Sequence, residues 1–178
     1  MHYLYERSKY MELDKYLDRI KNGEEDALRE LYELIKNNIY SFALSILRNH
    51  DDAIDTLQET FINIYRNIDK YESKSKPLAW IYTITKNVAY SKIRSNKKTI
   101  NIEEIEFVTH HNYDDKLLIE TILKALSEEE RKIVILHVVN GFKFHEIARI
   151  LDLKLSTTLS KYNRAMKKLK LLLKEGEE

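Results

Sequence analysis

Phe144-His-Glu-Ile-Ala-Arg-Ile-Leu-Asp-Leu-Lys-Leu-Ser-Thr-Thr-Leu-Ser-Lys-Tyr-Asn-Arg-Ala-Met166 reads as two helices joined by a tight turn. Ile147, Ala148 and Leu151 give the first helix one apolar face, and Ala148 is small where two helices must approach closely. Leu153 is placed to plug the turn, and Leu155, Tyr162, Ala165 and Leu169 to seat the second helix. Asp152-Leu-Lys154 makes the turn. The second helix then offers Ser156, Thr157, Ser160, Lys161 and Arg164 outward, with Lys168 one turn further on. Short hydrogen bonders near a helix N-terminus, followed by cations, are what reading a DNA major groove requires. The competing reading is an ordinary helical hairpin with a solvated basic face. Against it, the stretch 154–174 carries seven Lys or Arg and no carboxylate.

Upstream, the chain punctuates itself sparingly, with three Gly and one Pro in 178 residues, so few positions can break a helix. Asn22-Gly23 ends a first short helix carrying Leu13, Leu17 and Ile20. Glu24, Glu25 and Asp26 suit the positive N-terminus of the next helix, whose apolar positions run Leu28, Leu31, Leu34 or Ile35, Ile39, Phe42 and Ile46. A third helix follows the Asn49-His50-Asp51 break, with Ala53 or Ile54, Leu57, Phe61, Ile64 or Tyr65, and Ile68. Ser73, Lys74, Ser75 and Lys76 form a polar loop, and Pro77 suits the first turn of a helix. That helix buries Leu78, Ile81, Ile84 or Thr85, Val88 and Ile93. Between 96 and 115 the periodicity fails and acids cluster, which predicts a solvated linker and two bundles free to move; Thr99-Ile-Asn-Ile102 could pair briefly as a strand. Ser127-Glu-Glu-Glu130 is a capping-box pattern ahead of Ile133, Val134, Leu136 and Val138, and Asn140-Gly141 closes that helix. The expected fold is all-α: a helical domain over 1–96, a linker over 97–115, and a smaller helix-turn-helix domain over 116–178.

The first domain carries its own basic stretch. From 71 to 98, Tyr71, Trp80, Tyr82 and Tyr90 are interleaved with Lys86, Lys92, Arg94, Lys97 and Lys98, with no acid after Glu72. Aromatic faces can stack on unpaired bases while cations neutralise phosphates, although Trp80, Tyr71 and Tyr82 are more often core than contact in such positions. A net charge of +1 gives no general affinity for a polyanion, so local patterning has to do the work. No cysteine is present, which excludes disulfides, thiol nucleophiles and Cys zinc sites and fits a reducing cytoplasm. His145-Glu146 begins like a zinc-protease helix, but Arg149 stands where the second His would be needed. His110, His111 and His137 complete no ligand set, so neither a metal nor a cofactor is expected, and no catalytic group. No apolar run approaches the ~20 residues that span a bilayer, and the N-terminus lacks a signal core, so a cytoplasmic protein is expected.

Together these segments resemble the sigma-70 family of bacterial RNA polymerase initiation factors, of the small two-domain extracytoplasmic-function type. The resemblance rests on Asp52-Ala-Ile-Asp-Thr-Leu-Gln-Glu-Thr-Phe61, Ile68-Asp-Lys-Tyr71, Trp80-Ile-Tyr82 and Asn87, and then Ala125-Leu126, Glu130-Arg131, Gly141, Glu146-Ile-Ala148 and Thr157. It implies a region 2-like bundle and a region 4-like helix-turn-helix. Asp55, Gln58 and Glu59 would dock on the β′ clamp helices of core polymerase, and the second domain on the β flap. Ser73, Lys74, Ser75, Lys76, Trp80, Lys86, Asn87, Lys92 and Arg94 would engage the −10 element as single strand. Ser156, Thr157, Ser160, Lys161, Arg164 and Lys168 would read the −35 element as duplex. Core polymerase and promoter DNA are the implied partners, with room for an anti-sigma protein and no insertion into a membrane. The alternative is a helix-turn-helix regulator that works without polymerase, which leaves the Asp52–Phe61 block unexplained. The sequence departs from the family pattern at Thr83 and Thr85, where Arg and Ala are usual, at Asp152 for Gly, and at Thr158 and Leu159 for an apolar residue and a cation. Leu159 has two readings: part of a wider buried stripe with Leu155, Tyr162, Met166 and Leu169, or a groove-facing side chain that packs on a thymine methyl.

Overall fold

The computed structural model describes residues 13–72, 77–96 and 124–175. All regular structure among them is helical: α1 (13–21), α2 (Glu25–Leu47), α3 (His50–Arg66), a 3-10 turn at Ile68–Lys70, α4 (Pro77–Asn96), α5 (Glu128–Val134), α6 (Phe144–Leu151) and α7 (Leu155–Glu175). The loop Ser73–Lys76, the stretch 97–123 and the strand expected at 99–102 lie outside the described residues.

In the first bundle, α1 to α4 close around Leu13, Leu17, Leu31, Ile35, Ile39, Phe42, Phe61, Ile64, Leu78, Ile81 and Tyr82, all buried. The helical phase resolves each ambiguous position: Ile35, Ile64 and Thr85 point inward, while Leu34 and Tyr65 are exposed. Gly23 takes φ +82 after α1, a conformation in which a Cβ would be strained. Asn49 caps α3 by accepting the Asp52 N–H at 2.8 Å.

In the second bundle, the Glu130 carboxylate accepts the Ser127 N–H at 3.0 Å, which is the reciprocal half of the expected capping box. The helix then widens to a π turn over Ile135–Val139, where the Asn140 N–H reaches back five residues to the Ile135 carbonyl at 3.0 Å. This shift in phase leaves Val138 half exposed, contrary to the expected buried position. The turn between α6 and α7 holds Asp152 at φ 57, and the Leu153 N–H returns to the Ala148 carbonyl at 2.8 Å. Leu155, expected to seat α7, is 47 % exposed, whereas Ala165, Leu169 and the half-buried Tyr162 seat it as expected, against Leu126, Val134 and Ile135; Thr158 is buried as well.

The two bundles share a buried interface. Phe142 sits edge-on to Tyr82 of α4, centroids 4.8 Å apart, and Tyr82 in turn packs on Phe42 of α2. Around this apolar contact, Asn38 Nδ2 donates to Asn140 Oδ1 at 3.0 Å, Arg131 Nε to the Ser45 carbonyl at 3.1 Å, and Lys86 Nζ to the Ile150 carbonyl at 2.8 Å. The expectation of freely moving domains is therefore corrected. Linker polarity says nothing about the apolar surface that Tyr82 and Phe142 offer each other across the gap.

Candidate nucleic-acid and polymerase interface

Helix α3 is amphipathic by construction, because Ala53, Leu57, Phe61 and Ile64 recur at helical spacing and are buried. Its opposite face consequently presents Asp55, Gln58 and Glu59 to solvent. Ile62 and Tyr65 continue that face and are 47 % and 62 % exposed, so the surface is acidic at one end and apolar at the other. The sequence reading missed both residues because an apolar side chain at a near-core position is assigned to the core unless the helical phase is fixed.

Helix α4 carries the single-strand candidates. Asn87 and Arg94 are exposed, Trp80 and Lys86 half-buried, and Tyr71 and Tyr82 buried in the core. Trp80 packs at a tilt on Tyr71, centroids 4.9 Å apart, and the Tyr71 hydroxyl donates to Asp14. Burial, followed by that bond to Asp14, raises the Tyr71 hydroxyl well above its ordinary range. One face of Trp80 is left on a cleft of about 410 Å³ lined by Lys70, Tyr71, Glu72, Ala79, Thr83 and, from the second bundle, Arg149. The candidate loop residues Ser73, Lys74, Ser75 and Lys76 lie outside the described residues; Glu72, which precedes them in the chain, lines the cleft. Lys92 differs from the other cations. Its Nζ lies 2.6 Å from Asp55 and 3.3 Å from Asp52, so one ammonium joins the docking candidates on α3 to the strand candidates on α4. Burial alone would lower the Lys92 pKa, but the two carboxylates outweigh it and raise the value.

On α7, Ser156, Ser160 and Arg164 are exposed and Thr157 half-buried, which forms one outward strip. Lys161 and Lys168 flank the buried stripe instead: Lys161 pairs with Glu129, and Lys168 with the buried Glu130 at 2.7 Å. Asn163, Lys167 and Lys170 extend the exposed strip; the two lysines belong to the acid-free basic stretch 154–174, whereas Asn163 is not among the expected contacts, although the phase set by Ala165 and Leu169 could have found it. Leu159 is 37 % exposed, with Leu155 and Met166 exposed beside it, so these three form no part of a buried stripe. His137, half-buried, stacks on Phe144 with centroids 4.2 Å apart and bonds the Phe142 carbonyl through Nδ1, a packing role. Among the described residues no group of His, Cys, Asp and Glu could hold a metal ion, and no helix is long and apolar enough to cross a membrane.

Comparison with known proteins accounts for this layout. The family model Sigma-70 region 2 matches residues 31–99, and Sigma-70, region 4 matches residues 116–169. The chain is 24 % identical over 184 residues to the extracytoplasmic-function (ECF) RNA polymerase sigma factor SigW of Bacillus subtilis (strain 168), covering 93 % of this chain and 98 % of that one. It is 26 % identical over 172 residues to the ECF sigma factor SigK of Mycobacterium tuberculosis (strain ATCC 25618 / H37Rv), covering 89 % and 92 %. Among solved structures it resembles the sigma factor RpoE in complex with the anti-sigma factor NepR from Bartonella quintana, with a TM-score of 0.70, 27 % identity, and coverage of 84 % of this chain and 98 % of that one. It shares the fold of CnrH, solved with the cytosolic domain of CnrY, with a TM-score of 0.68 at 20 % identity over 91 % and 97 % of the two chains. A region 2 bundle with an exposed α3 face and a basic α4, followed by a region 4 helix-turn-helix, identifies the chain as a member of the sigma-70 family of RNA polymerase sigma factors, of the two-domain ECF type, a non-enzymatic factor that directs polymerase to promoters.

Proposed function

We propose that this factor docks on core polymerase through the α3 face Asp55, Gln58, Glu59, Ile62 and Tyr65, and reads a promoter at two separated places. The observation that carries this reading is the division of exposed polar surface between two bundles: Asn87 and Arg94 on α4, and Ser156, Ser160 and Arg164 on α7. An acidic and apolar face suits a basic helical clamp, because complementary charge steers the encounter and apolar side chains supply buried area. The second bundle would meet the flap of the β subunit.

On α4, Asn87 can bond a base edge and Arg94 a phosphate. The cleft beside Trp80 has polar walls at Lys70 and Glu72 and an aromatic floor, which suits one nucleotide turned out of a melting duplex. On α7, the hydroxyls of Ser156, Thr157 and Ser160 would approach −35 base edges and Arg164 a base or phosphate, with Lys161 and Lys168 held nearer α5. The factor would work in the cytoplasm, where polymerase and promoter are. Regulation by an anti-sigma protein is supported by the likeness to RpoE, which was solved with NepR.

Run-off transcription with purified core polymerase tests the reading. Promoter-dependent transcripts are expected only when the factor is present, and Asn87→Ala should reduce permanganate-reactive open complex more than initial duplex binding. Equal loss at both steps would count against single-strand recognition by α4.

A further inference from the structure

We propose that α1 sets the seat of the Trp80 cleft, with Asp14 as a positioning residue and Lys21 in support, although no residue of α1 is among the promoter candidates. This inference rests on the reading of that cleft above and names what holds its floor in place. Helical spacing brings the two side chains to one strip. Leu13, Leu17 and Ile20 are buried, and Asp14 and Lys21 each stand one residue past a member of that set, two turns apart. Both reach the segment 69–71, whose Lys70 and Tyr71 line the cleft. Asp14 accepts the Tyr71 hydroxyl, and Lys21 Nζ donates to the carbonyls of Asp69 at 3.4 Å and Tyr71 at 3.3 Å. The Tyr71 N–H donates to the Ile68 carbonyl at 3.0 Å. Tyr71 is thus fixed at its backbone and at the far end of its ring, and Trp80 leans on that ring with centroids 4.9 Å apart.

The fold is held without these bonds. Three apolar residues already bury α1, and Arg19 fastens it to Glu24 and Glu30 at 2.8 Å each. What Asp14 adds is direction. Without its carboxylate the Tyr71 ring keeps its burial but loses the bond that sets its orientation, and Trp80 loses a fixed backing. A base that stacks on Trp80 meets a seat already ordered, so less of the stacking energy is spent on ordering side chains. Asp14 leads because its bond is charge-assisted and made to a residue only 5 % exposed. Lys21 is exposed and its contacts are long for N–H···O bonds, so its share is smaller.

The test uses the full chain, in which Trp80 is the sole tryptophan and reports on its own seat. The strand probe is a labelled oligonucleotide enriched from a random single-strand pool by the parent factor on core polymerase. Asp14→Ala and Tyr71→Phe are expected to move Trp80 emission to the red, raise acrylamide quenching and weaken capture about three- to tenfold, the scale of one lost hydrogen bond, with affinity for core polymerase unchanged. Asp14→Asn, which still offers an oxygen, should restore both readouts, and Lys21→Ala should shift them less. Arg19→Ala loosens α1 at a point remote from the cleft lining and is expected to lower the melting midpoint alone. Tyr71→Phe keeps the buried ring, so it carries the comparison if Asp14→Ala fails to fold. Unchanged Trp80 emission in both variants overturns the proposal. So does full capture by them where Trp80→Ala captures poorly, or an Arg19→Ala chain that moves both readouts as far. If the parent enriches no strand, or Trp80→Ala captures it as well as the parent, the cleft is no base seat and the functional reading of it falls; the emission series then decides by itself whether α1 positions Trp80.

Discussion

Lys92 Nζ lies 2.6 Å from the Asp55 carboxylate, and this pair ties the face expected to meet polymerase to the helix expected to meet the −10 strand. Asp55 is 64 % exposed and Lys92 only 19 %, so a partner on the surface reaches the acid first. A polymerase cation that took Asp55 would leave Lys92 with Asp52 alone, 3.3 Å away, and so freer to meet a phosphate. By reciprocity, a phosphate on Lys92 would free Asp55. Lys92→Ala is therefore expected to strengthen binding to core polymerase roughly two- to fivefold, the scale of one part-exposed ion pair, while weakening strand capture by the holoenzyme. Fluorescence titration of both equilibria checks this. A purely structural Lys92 would weaken both, and Lys92→Arg should restore the parent values.

The α3 face should tolerate substitution without unfolding, because Asp55, Glu59 and Ile62 all point to solvent. Asp55→Lys with Glu59→Lys is expected to cut core affinity tenfold or more, about 1.4 kcal/mol. Ile62→Ala should add a smaller loss. Co-purification with core polymerase, next to a helical melting curve, separates lost docking from lost fold.

On α7 the cations should divide by neighbour. Arg164→Ala is expected to lower −35 duplex affinity and reduce the salt slope by about one. Lys161→Ala should do so less, since Lys161 is already paired with Glu129. Lys168→Ala should mainly destabilise the bundle, because it strands the buried Glu130. A salt-dependence series for the three variants, each with a thermal melt, gives the ranking. Leu159→Lys belongs with the exposed positions: a change within ~0.5 kcal/mol in stability, and a salt slope steeper by ~0.9 per phosphate engaged. Relaxed preference at one −35 position would locate the thymine methyl it touches.

Acid should loosen the second bundle. Burial pushes the Glu130 pKa up, but Lys168 and the Ser127 N–H and hydroxyl outweigh it, and the net value is lowered; Glu128 is lowered in the same way by Lys132 and Tyr90 after its own burial cost. A carboxyl with a lower pKa folded than unfolded stabilises above its ordinary range, near ~4, and that contribution is lost as pH falls through the folded value. Melting temperature should thus drop below about pH 4, and Glu130→Gln should flatten that limb while costing about 1 kcal/mol or more at neutral pH.

The helices and their order were legible because apolar spacing states the phase of a long helix, and because Asn22-Gly23, Asn49, Pro77, Ser127 and Gly141 mark its ends. What escaped was the outcome of packing. The π turn at Ile135–Val139 moves Val138 outward, and no composition rule announces an extra residue in a turn. The pairing of Lys161 and Lys168 with Glu129 and Glu130 needed the rotation of α7 about Ala165. The junction between bundles was hidden because it joins residues about a hundred positions apart, as with Asn38 and Asn140, through chemistry that each segment uses elsewhere for solvent.

At that junction, two long cationic donors end on peptide oxygens, Arg131 on Ser45 and Lys86 on Ile150, while a third, Lys132, ends on the Tyr90 hydroxyl. A main-chain acceptor keeps its oxygen whatever side chain the residue carries. The mutational footprint of these two bonds should accordingly be one-sided, with damage at positions 86 and 131, while the acceptor oxygens at positions 45 and 150 survive any replacement that keeps the helices intact. A saturation scan would trace only the donor end of each of these bonds, and the acceptor end would be scored as dispensable although its backbone carries the bond.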